Sequence, residues 1–121
     1  LRDGLTEIVE FSGLDSVMEV AVKNYSSGMI GRLGFAVATA ARPRVLLVDE
    51  VLAVGDEQFR SQCFARIDSL LEAGTAVVLV SHDLALVGHL AKRGLLLDSS
   101  RVVACGDLDE VIEVYRRRVG E

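Results

Sequence analysis

Asp49 and Glu50 stand side by side at the end of the apolar run Val45-Leu46-Leu47-Val48, and two adjacent carboxylates in that position can divide the labour of nucleotide hydrolysis. One can hold a divalent cation against phosphate oxygens. The other can orient or deprotonate the attacking water, a role that contributes roughly 10²- to 10⁴-fold in rate. An acidic pair can equally end a strand and cap the next turn of chain, so its meaning depends on its company. His82 comes after the next apolar run, residues 76–80, within Ser81-His82-Asp83. An imidazole there can donate to a phosphate oxygen and hold a carboxylate in position, or serve only as a satisfied structural residue. Ser26, Ser27 and Gly28 precede a helical pattern, where unpaired N–H groups and the helix dipole favour an anion, although simple N-capping accounts for the same residues. The combination and its order are more specific than any member. A G-x-x-x-x-G-K-[ST] loop, which would cradle the phosphates, occurs nowhere in the 121 residues. His89 falls inside a helical pattern and is assigned no role.

These groups need elements to carry them. An unbroken apolar run reads as a strand covered on both faces, and open α/β sheets present ligands beyond the carboxyl ends of their strands, which puts Asp49, Glu50 and His82 on one side. Leu5, Ile8 and Val9 predict a short amphipathic helix stopping near Ser12-Gly13, followed by a less regular segment over residues 14–24. A helix then runs from Met29 with the stripe Ile30, Leu33, Val37 and Ala40, and Pro43 ends it by about Arg42. Gly55-Asp56 opens a second long helix with the stripe Phe59, Cys63, Ile67, Leu70 and Leu71, closing at Gly74 as a C′ glycine would. After the strand at 76–80, Leu84, Val87, Leu90 and Ala91 mark a helix expected to end near Gly94. Residues 95–97 and 101–104 flank Asp98-Ser99-Ser100 as a hairpin, and Asp107 with Glu110 caps a last helix through Val111, Ile112 and Tyr115. Alternation of this kind means α/β. Without an internal repeat, low-complexity tract or linker, the chain reads as one compact unit cut from a larger domain.

Composition bounds the partners. Half the residues are apolar and the formal net charge is -5, an ordinary globular balance that disfavours a general affinity for nucleic acid, whose electrostatic term needs clustered cations. Arg116-Arg117-Arg118 is the single such cluster. The longest uncharged apolar-rich run, residues 33–41, is far below the roughly 18 to 20 residues that cross a bilayer. Arg2, Asp3, Glu7 and Glu10 among the first residues do not form a signal peptide, so a cytoplasmic compartment is expected. Cys63 and Cys105 lie far apart without metal-ligand spacing, and both are expected to be reduced packing residues.

Taken together, the motifs resemble the carboxyl-terminal half of an ATP-binding cassette (ABC) transporter ATPase. Tyr25-Ser26-Ser27-Gly28-Met29 is similar to the signature motif of that family, residues 45–50 to its Walker B strand and catalytic glutamate, Val54-Gly55-Asp56 to its D-loop, and His82 to its switch histidine. The signature together with residues 49–56 resembles the branch that exports polysaccharides such as O-antigen and teichoic acid. Ser27 stands where many relatives have glycine and Met29 where many have glutamine, both tolerated in that branch. Gly31 and Gly34 inside a helix are less expected, since each costs about 1 kcal/mol relative to alanine. The resemblance implies a P-loop NTPase-like parallel sheet flanked by helices, incomplete without its phosphate-loop half, followed by a β-hairpin and helix. Residues 1–42 correspond to the end of a helical subdomain with the signature, and residues 43–121 to the remainder.

What the resemblance implies about activity is hydrolysis of ATP with Mg²⁺ by a head-to-tail dimer, each nucleotide held between the phosphate loop of one subunit and the signature segment of the other. Glu50 and His82 become catalytic groups, Asp49 the metal ligand, and Ser26, Ser27, Gly28 and Asp56 nucleotide contacts. The partners implied are a second ATPase subunit and an integral membrane permease, with the protein peripheral on the inner face of the cell membrane and making no span of its own. Two other classes fit parts of the pattern. One is a non-catalytic piece that donates its signature segment to a complete partner. The other is a chromosome-maintenance or DNA-repair ATPase, whose heptad repeats and basic face have no counterpart in this sequence.

Overall fold

A computed structural model describes residues 2–50 and 55–120. Residues 51–54, which include Val54 of the expected D-loop, lie outside the described residues, as do both terminal residues. In chain order the elements are α1 (Arg2–Ser12), two 3₁₀ turns (Asp15–Val17 and Val22–Asn24), α2 (Ser27–Ala40), β1 (Val45–Asp49), α3 (Glu57–Glu72), β2 (Ala76–Val80), α4 (Leu84–Leu90), β3 (Arg93–Asp98), β4 (Arg101–Asp107) and α5 (Leu108–Val119). The mixed class expected from the sequence is what the chain adopts, with a parallel pair followed by an antiparallel hairpin and a helix. Two compact units divide between Val80 and Ser81.

Side-chain oxygens start the helices. Ser26, Asp56, Asp83 and Asp107 cap α2 to α5, each accepting a backbone N–H of the first turn, which satisfies donors that the helix leaves unpaired. Glycine stops them where the chain must turn left-handed: Gly13 has φ +66° after α1, Gly74 φ +96° after α3 and Gly120 φ +81° after α5.

In the first unit β1 and β2 pair in parallel, with Val45 opposite Ala76 and Asp49 opposite Val80, and α3 makes the crossover such pairing requires. Leu46 and Val48 on one face of β1 are buried, as are Phe59, Cys63, Ile67 and Leu70 on one side of α3. Phe11, Phe35 and Phe59 bring α1, α2 and α3 together, with ring centroids 5.7 Å apart for Phe11 and Phe35, 5.6 Å for Phe11 and Phe59, and 6.5 Å for Phe35 and Phe59. Arg66 lies 4.5 Å from the Phe11 ring and donates to Glu7 at 2.7 Å, tying α3 to α1. Buried polar groups are satisfied locally: the Thr39 hydroxyl donates to the Phe35 carbonyl at 2.8 Å and the Tyr25 hydroxyl to the Val17 carbonyl at 2.9 Å.

Three expectations change. The strands are not covered on both faces: Val45, Leu47, Val78 and Val80 are 56, 74, 53 and 58% exposed, because these same-face residues meet no second layer within the unit. On α2 the buried side chains are Phe35, Ala36 and Thr39, while Ile30 and Val37 of the expected stripe are half exposed. The helix is apolar on two sides, so spacing alone picked the face that the aromatic cluster does not use. Gly94, expected to stop α4, lies inside β3 instead. A Cβ there would come within 3.2 Å of Leu108 and Val111, so glycine is what lets α5 pack onto the hairpin. Gly34 has open space around it, and nothing in the structure explains a glycine there.

The second unit is the hairpin β3–β4 with α5 packed against it. Ser99 and Ser100 both take positive φ, 49° and 62°, the two-residue conformation that matches strand twist. The Arg118 guanidinium bonds Asp98 from α5 and, with Ser99, holds that carboxyl below its usual range.

Core and bare face should respond in opposite ways. Leu46→Ala is expected to cost about 2–5 kcal/mol in urea unfolding, whereas Leu47→Lys should change stability by less than about 0.5 kcal/mol and lower binding of a hydrophobic dye. A large loss for Leu47→Lys would show that its face is covered. The cysteines should separate as sharply. Cys63 is 2% exposed and burial pushes its thiol up from 9.0 to about 11, against the pull of Arg32 and Arg66. Since the folded value is the higher one, its contribution to stability is intact below pH 9 and declines as pH rises toward 11. Iodoacetamide at pH 8 should therefore alkylate exposed Cys105 and spare Cys63 until the protein unfolds.

Candidate functional site

Asp49 is the last residue of β1 and is exposed at its carboxyl end. The next residue leaves the extended conformation: Glu50 has φ +46° while its N–H donates to the Val80 carbonyl at 3.1 Å. The alternation that would send neighbouring side chains to opposite faces therefore ends at Asp49. A left-handed backbone at a residue other than glycine costs on the order of 1–3 kcal/mol and persists where the surroundings enforce it. Here the hydrogen bond to the end of β2 does so, and it brings the tips of both strands to one level. Among the described residues no three carboxylate, imidazole or thiol groups converge on a metal position. Asp49 is thus a single carboxylate donor, the arrangement Mg²⁺ accepts when phosphates and water complete its shell.

Ser26, Ser27 and Gly28 form the start of α2. Ser26 is extended, its hydroxyl oxygen accepts the Met29 N–H at 3.2 Å, and its carbonyl accepts the Ile30 N–H at 3.0 Å. The helix has no internal acceptor for the N–H groups of Ser27 and Gly28, which open outward at the positive end of its dipole. A Cβ on Gly28 would meet only the Ser26 hydroxyl, at 3.9 Å. Packing within the chain does not call for glycine there. What glycine adds is room for a close approach to the backbone.

Asp56 caps α3, its Oδ1 accepting the Phe59 N–H at 2.8 Å. Gly55 before it has φ +96°, and a Cβ there would lie 2.9 Å from the Phe59 ring. Arg32, which the sequence patterns did not single out, reaches from α2 to Asp56 with Nη2 3.6 Å from Oδ2, and its guanidinium lies 5.0 Å from the centre of the Phe59 ring. The signal available in the sequence was its position four residues after Gly28, on the same helix face. These contacts bring the starts of α2 and α3 together within the first unit. His82 belongs to the second unit, two residues past Val80 in the chain, and is exposed. Its neighbours form a turn in which the Ser81 hydroxyl accepts the Asp83 N–H at 3.0 Å and Asp83 Oδ1 accepts from Ala85 and Leu86 at 3.0 and 3.2 Å.

A separate cavity of about 1120 Å³ is lined by Arg42, Arg44, Val45, Arg66 and Thr75, among others. Val45 begins β1 and Asp49 ends it, so the cavity opens at the wrong end of the strand for the acids. Its arginines at positions 42 and 44 come after the carbonyl end of α2, where cations are expected for structural reasons.

No family model matches the chain. Among curated proteins it is similar to the ABC transporter protein AbcA of Aeromonas salmonicida, 40% identical over 117 residues that make up 97% of this chain and 38% of the relative. The O-antigen export system ATP-binding protein RfbB of Klebsiella pneumoniae is 34% identical over 97% of this chain and 48% of its own length. The teichoic acids export ATP-binding protein TagH of Bacillus anthracis is 34% identical over 95% of this chain and 21% of its own length. This chain thus spans no more than about half the length of these relatives. A solved structure described as the ATP binding subunit of an ABC transporter superposes with a TM-score of 0.82 over 98% of this chain and 48% of its own. At 22% identity that likeness concerns the fold.

The corner at Gly55 should be intolerant of any side chain. Gly55→Ala adds a strained φ and a clash with the buried Phe59 ring, and about 1–3 kcal/mol of destabilisation is expected in denaturant unfolding. A variant as stable as the parent would show that the corner is not built as described.

Proposed function

Because the chain is a relative of the ATP-binding proteins of ABC transporters, we propose that it supplies the strand acids, the serine-glycine helix start and the histidine turn of an ATP-hydrolysing subunit. That subunit energises export of a polysaccharide or lipid-linked glycan. The observation that carries the reading is Glu50: a carboxylate residue held in a left-handed backbone at the carboxyl end of a parallel strand, directly after a second carboxylate. A chain has no folding reason to keep strain at that position. A water-orienting group has one.

In this scheme Asp49 binds Mg²⁺ through one carboxylate, the metal supplying charge neutralisation on the nucleotide phosphates when bound. Glu50 orients the attacking water and takes its proton. His82 donates to the γ-phosphate. Ser26, Ser27 and Gly28 offer hydroxyl and N–H donors to the γ-phosphate of a nucleotide on a second, identical subunit, and Asp56 stands at the head of α3 beside that junction. The remainder of the domain covers the bare face of β1 and β2, burying Leu47 and Val78. The phosphate loop belongs to that remainder, so residues 1–42 act as the end of a helical subdomain and residues 43–121 as part of the catalytic core. An integral membrane permease is the partner that couples closure to transport, with the subunit held at the cytoplasmic face. No helix among the described residues is long and apolar enough to cross a membrane itself.

The decisive measurement is ATP turnover by this chain alone and by the chain joined to the sequence encoded upstream of it. Turnover is expected in the longer protein only, and Glu50→Gln there should lower kcat at least about tenfold without loss of ATP binding. Turnover by the 121-residue chain would refute its dependence on a further half, and an unaltered rate in Glu50→Gln would remove Glu50 from the mechanism. Binding without hydrolysis by the longer protein would favour a signature-donating role instead.

A further inference from the structure

Arg32 sits one helical turn beyond Gly28 on α2, and its guanidinium touches three elements at once. Nη2 is 3.6 Å from Asp56 Oδ2 at the head of α3, and the group lies 5.0 Å from the centre of the Phe59 ring. A Cβ placed on Gly13, where α1 ends, would stand 3.7 Å from Nη1. The carboxylate of Asp56 is divided between two tasks: Oδ1 accepts the Phe59 N–H at 2.8 Å and caps its own helix, while Oδ2 faces Arg32. Phe59 in turn fills the space over Gly55. Arg32, Asp56, Phe59 and Gly55 therefore form one linked corner joining the first turn of α2 to the first turn of α3.

An ion pair whose carboxylate side chain is 65% exposed adds little to folding in water. Its geometric effect is larger, because a planar guanidinium lying against a ring and beside a carboxylate fixes two helix starts relative to each other. We propose that Arg32 is a positioning residue that couples two nucleotide sites: it transmits seating of a phosphate on Ser26, Ser27 and Gly28 to Asp56, and so to the acids that lie six residues before it in the chain. The inference rests on the function proposed above, in which the serine-glycine turn serves one nucleotide and Asp49 and Glu50 serve the other. Arg32 touches neither nucleotide. Its influence passes through the corner, and it appears as cooperativity rather than as a lost contact.

The test uses the longer, turnover-competent protein and reads the rate against ATP concentration together with thermal stability. Arg32→Met keeps the apolar stem and removes the charge; Asp56→Asn keeps the cap, since asparagine caps as well as aspartate, and removes the partner charge. Arg32→Met is expected to lower kcat by about fivefold or more, bring the Hill coefficient to about 1, leave half-saturation within about twofold and shift Tm by less than about 2 °C. Adding Asp56→Asn to Arg32→Met should lower kcat by less than about a further twofold, because both changes break one link. Arg32→Lys should restore part of the cooperativity. Multiplicative losses in the double variant, or a Hill coefficient unmoved by Arg32→Met, would overturn the proposal. So would a fall in kcat that tracks a large fall in Tm without rescue by lysine, which marks a purely structural arginine. If Arg32→Met fails to fold, Asp56→Asn alone must reproduce the loss of cooperativity or the proposal fails. A longer protein without ATP turnover would sink the functional reading itself, and this inference with it, before any substitution is compared.

Discussion

Three phenylalanines from three helices, Phe11, Phe35 and Phe59, pack against one another with two arginines laid on the outer rings. Everything that could act on a phosphate in the first unit is held relative to this cluster. Arg66 lies over Phe11 and binds Glu7, so α3 is fastened to α1; Arg32 lies over Phe59 and faces Asp56, so α2 is fastened to α3. Aromatic pairs of this geometry contribute about 0.5–1.5 kcal/mol each beyond burial, and an arginine over a ring about 0.5–1 kcal/mol where solvent reaches it. The terms are individually small. Together they set the directions in which α2 and α3 present their first turns, which burial of aliphatic side chains alone would leave loose.

The acids are positioned by a different device. The parallel pair ends with Glu50 N–H on the Val80 carbonyl, and the left-handed turn at Glu50 comes directly after. One hydrogen bond thus does two things: it aligns the strand tips and forces the backbone out of the extended region at the residue whose carboxylate the proposed chemistry needs. A regular strand would have pointed Asp49 and Glu50 to opposite faces. The strain removes that obstacle.

Much of this was legible in the residues because local signals and global fold agree. Ser26, Asp56 and Asp107 cap where their types predict, Gly13 and Gly74 stop helices where the apolar stripes run out, and Ser99-Ser100 turns the hairpin. The failures share one cause, that pattern does not say what lies opposite. An apolar run such as residues 45–48 announces two covered faces, and nothing within the unit covers the second. Ile30 and Val37 have the spacing of a buried stripe, yet the aromatic cluster selected the side of α2 bearing Phe35, Ala36 and Thr39. Gly94 read as a stop because helical and close-packing glycines look alike until the partner, here Leu108 and Val111, is known. Arg32 was invisible for the same reason. Its significance lies in contacts to Asp56 and Phe59, more than twenty residues away in sequence, and no local pattern encodes them.

The bare sheet face bears on how the site works as well as on how the fold closes. Val45, Leu47, Val78 and Val80 flank the same two strands whose tips carry Asp49 and Glu50, and a two-stranded sheet with one face in water is only marginally stable. Strand tips fray when their faces are uncovered, and a frayed tip cannot hold Glu50 left-handed, because the enforcing bond to Val80 lies in the last pair of the ladder. Covering that face would therefore do more than add hydrophobic stability. It would fix the geometry of the acids, so that whatever packs on Leu47 and Val78 acts on the chemistry through the backbone without approaching a phosphate.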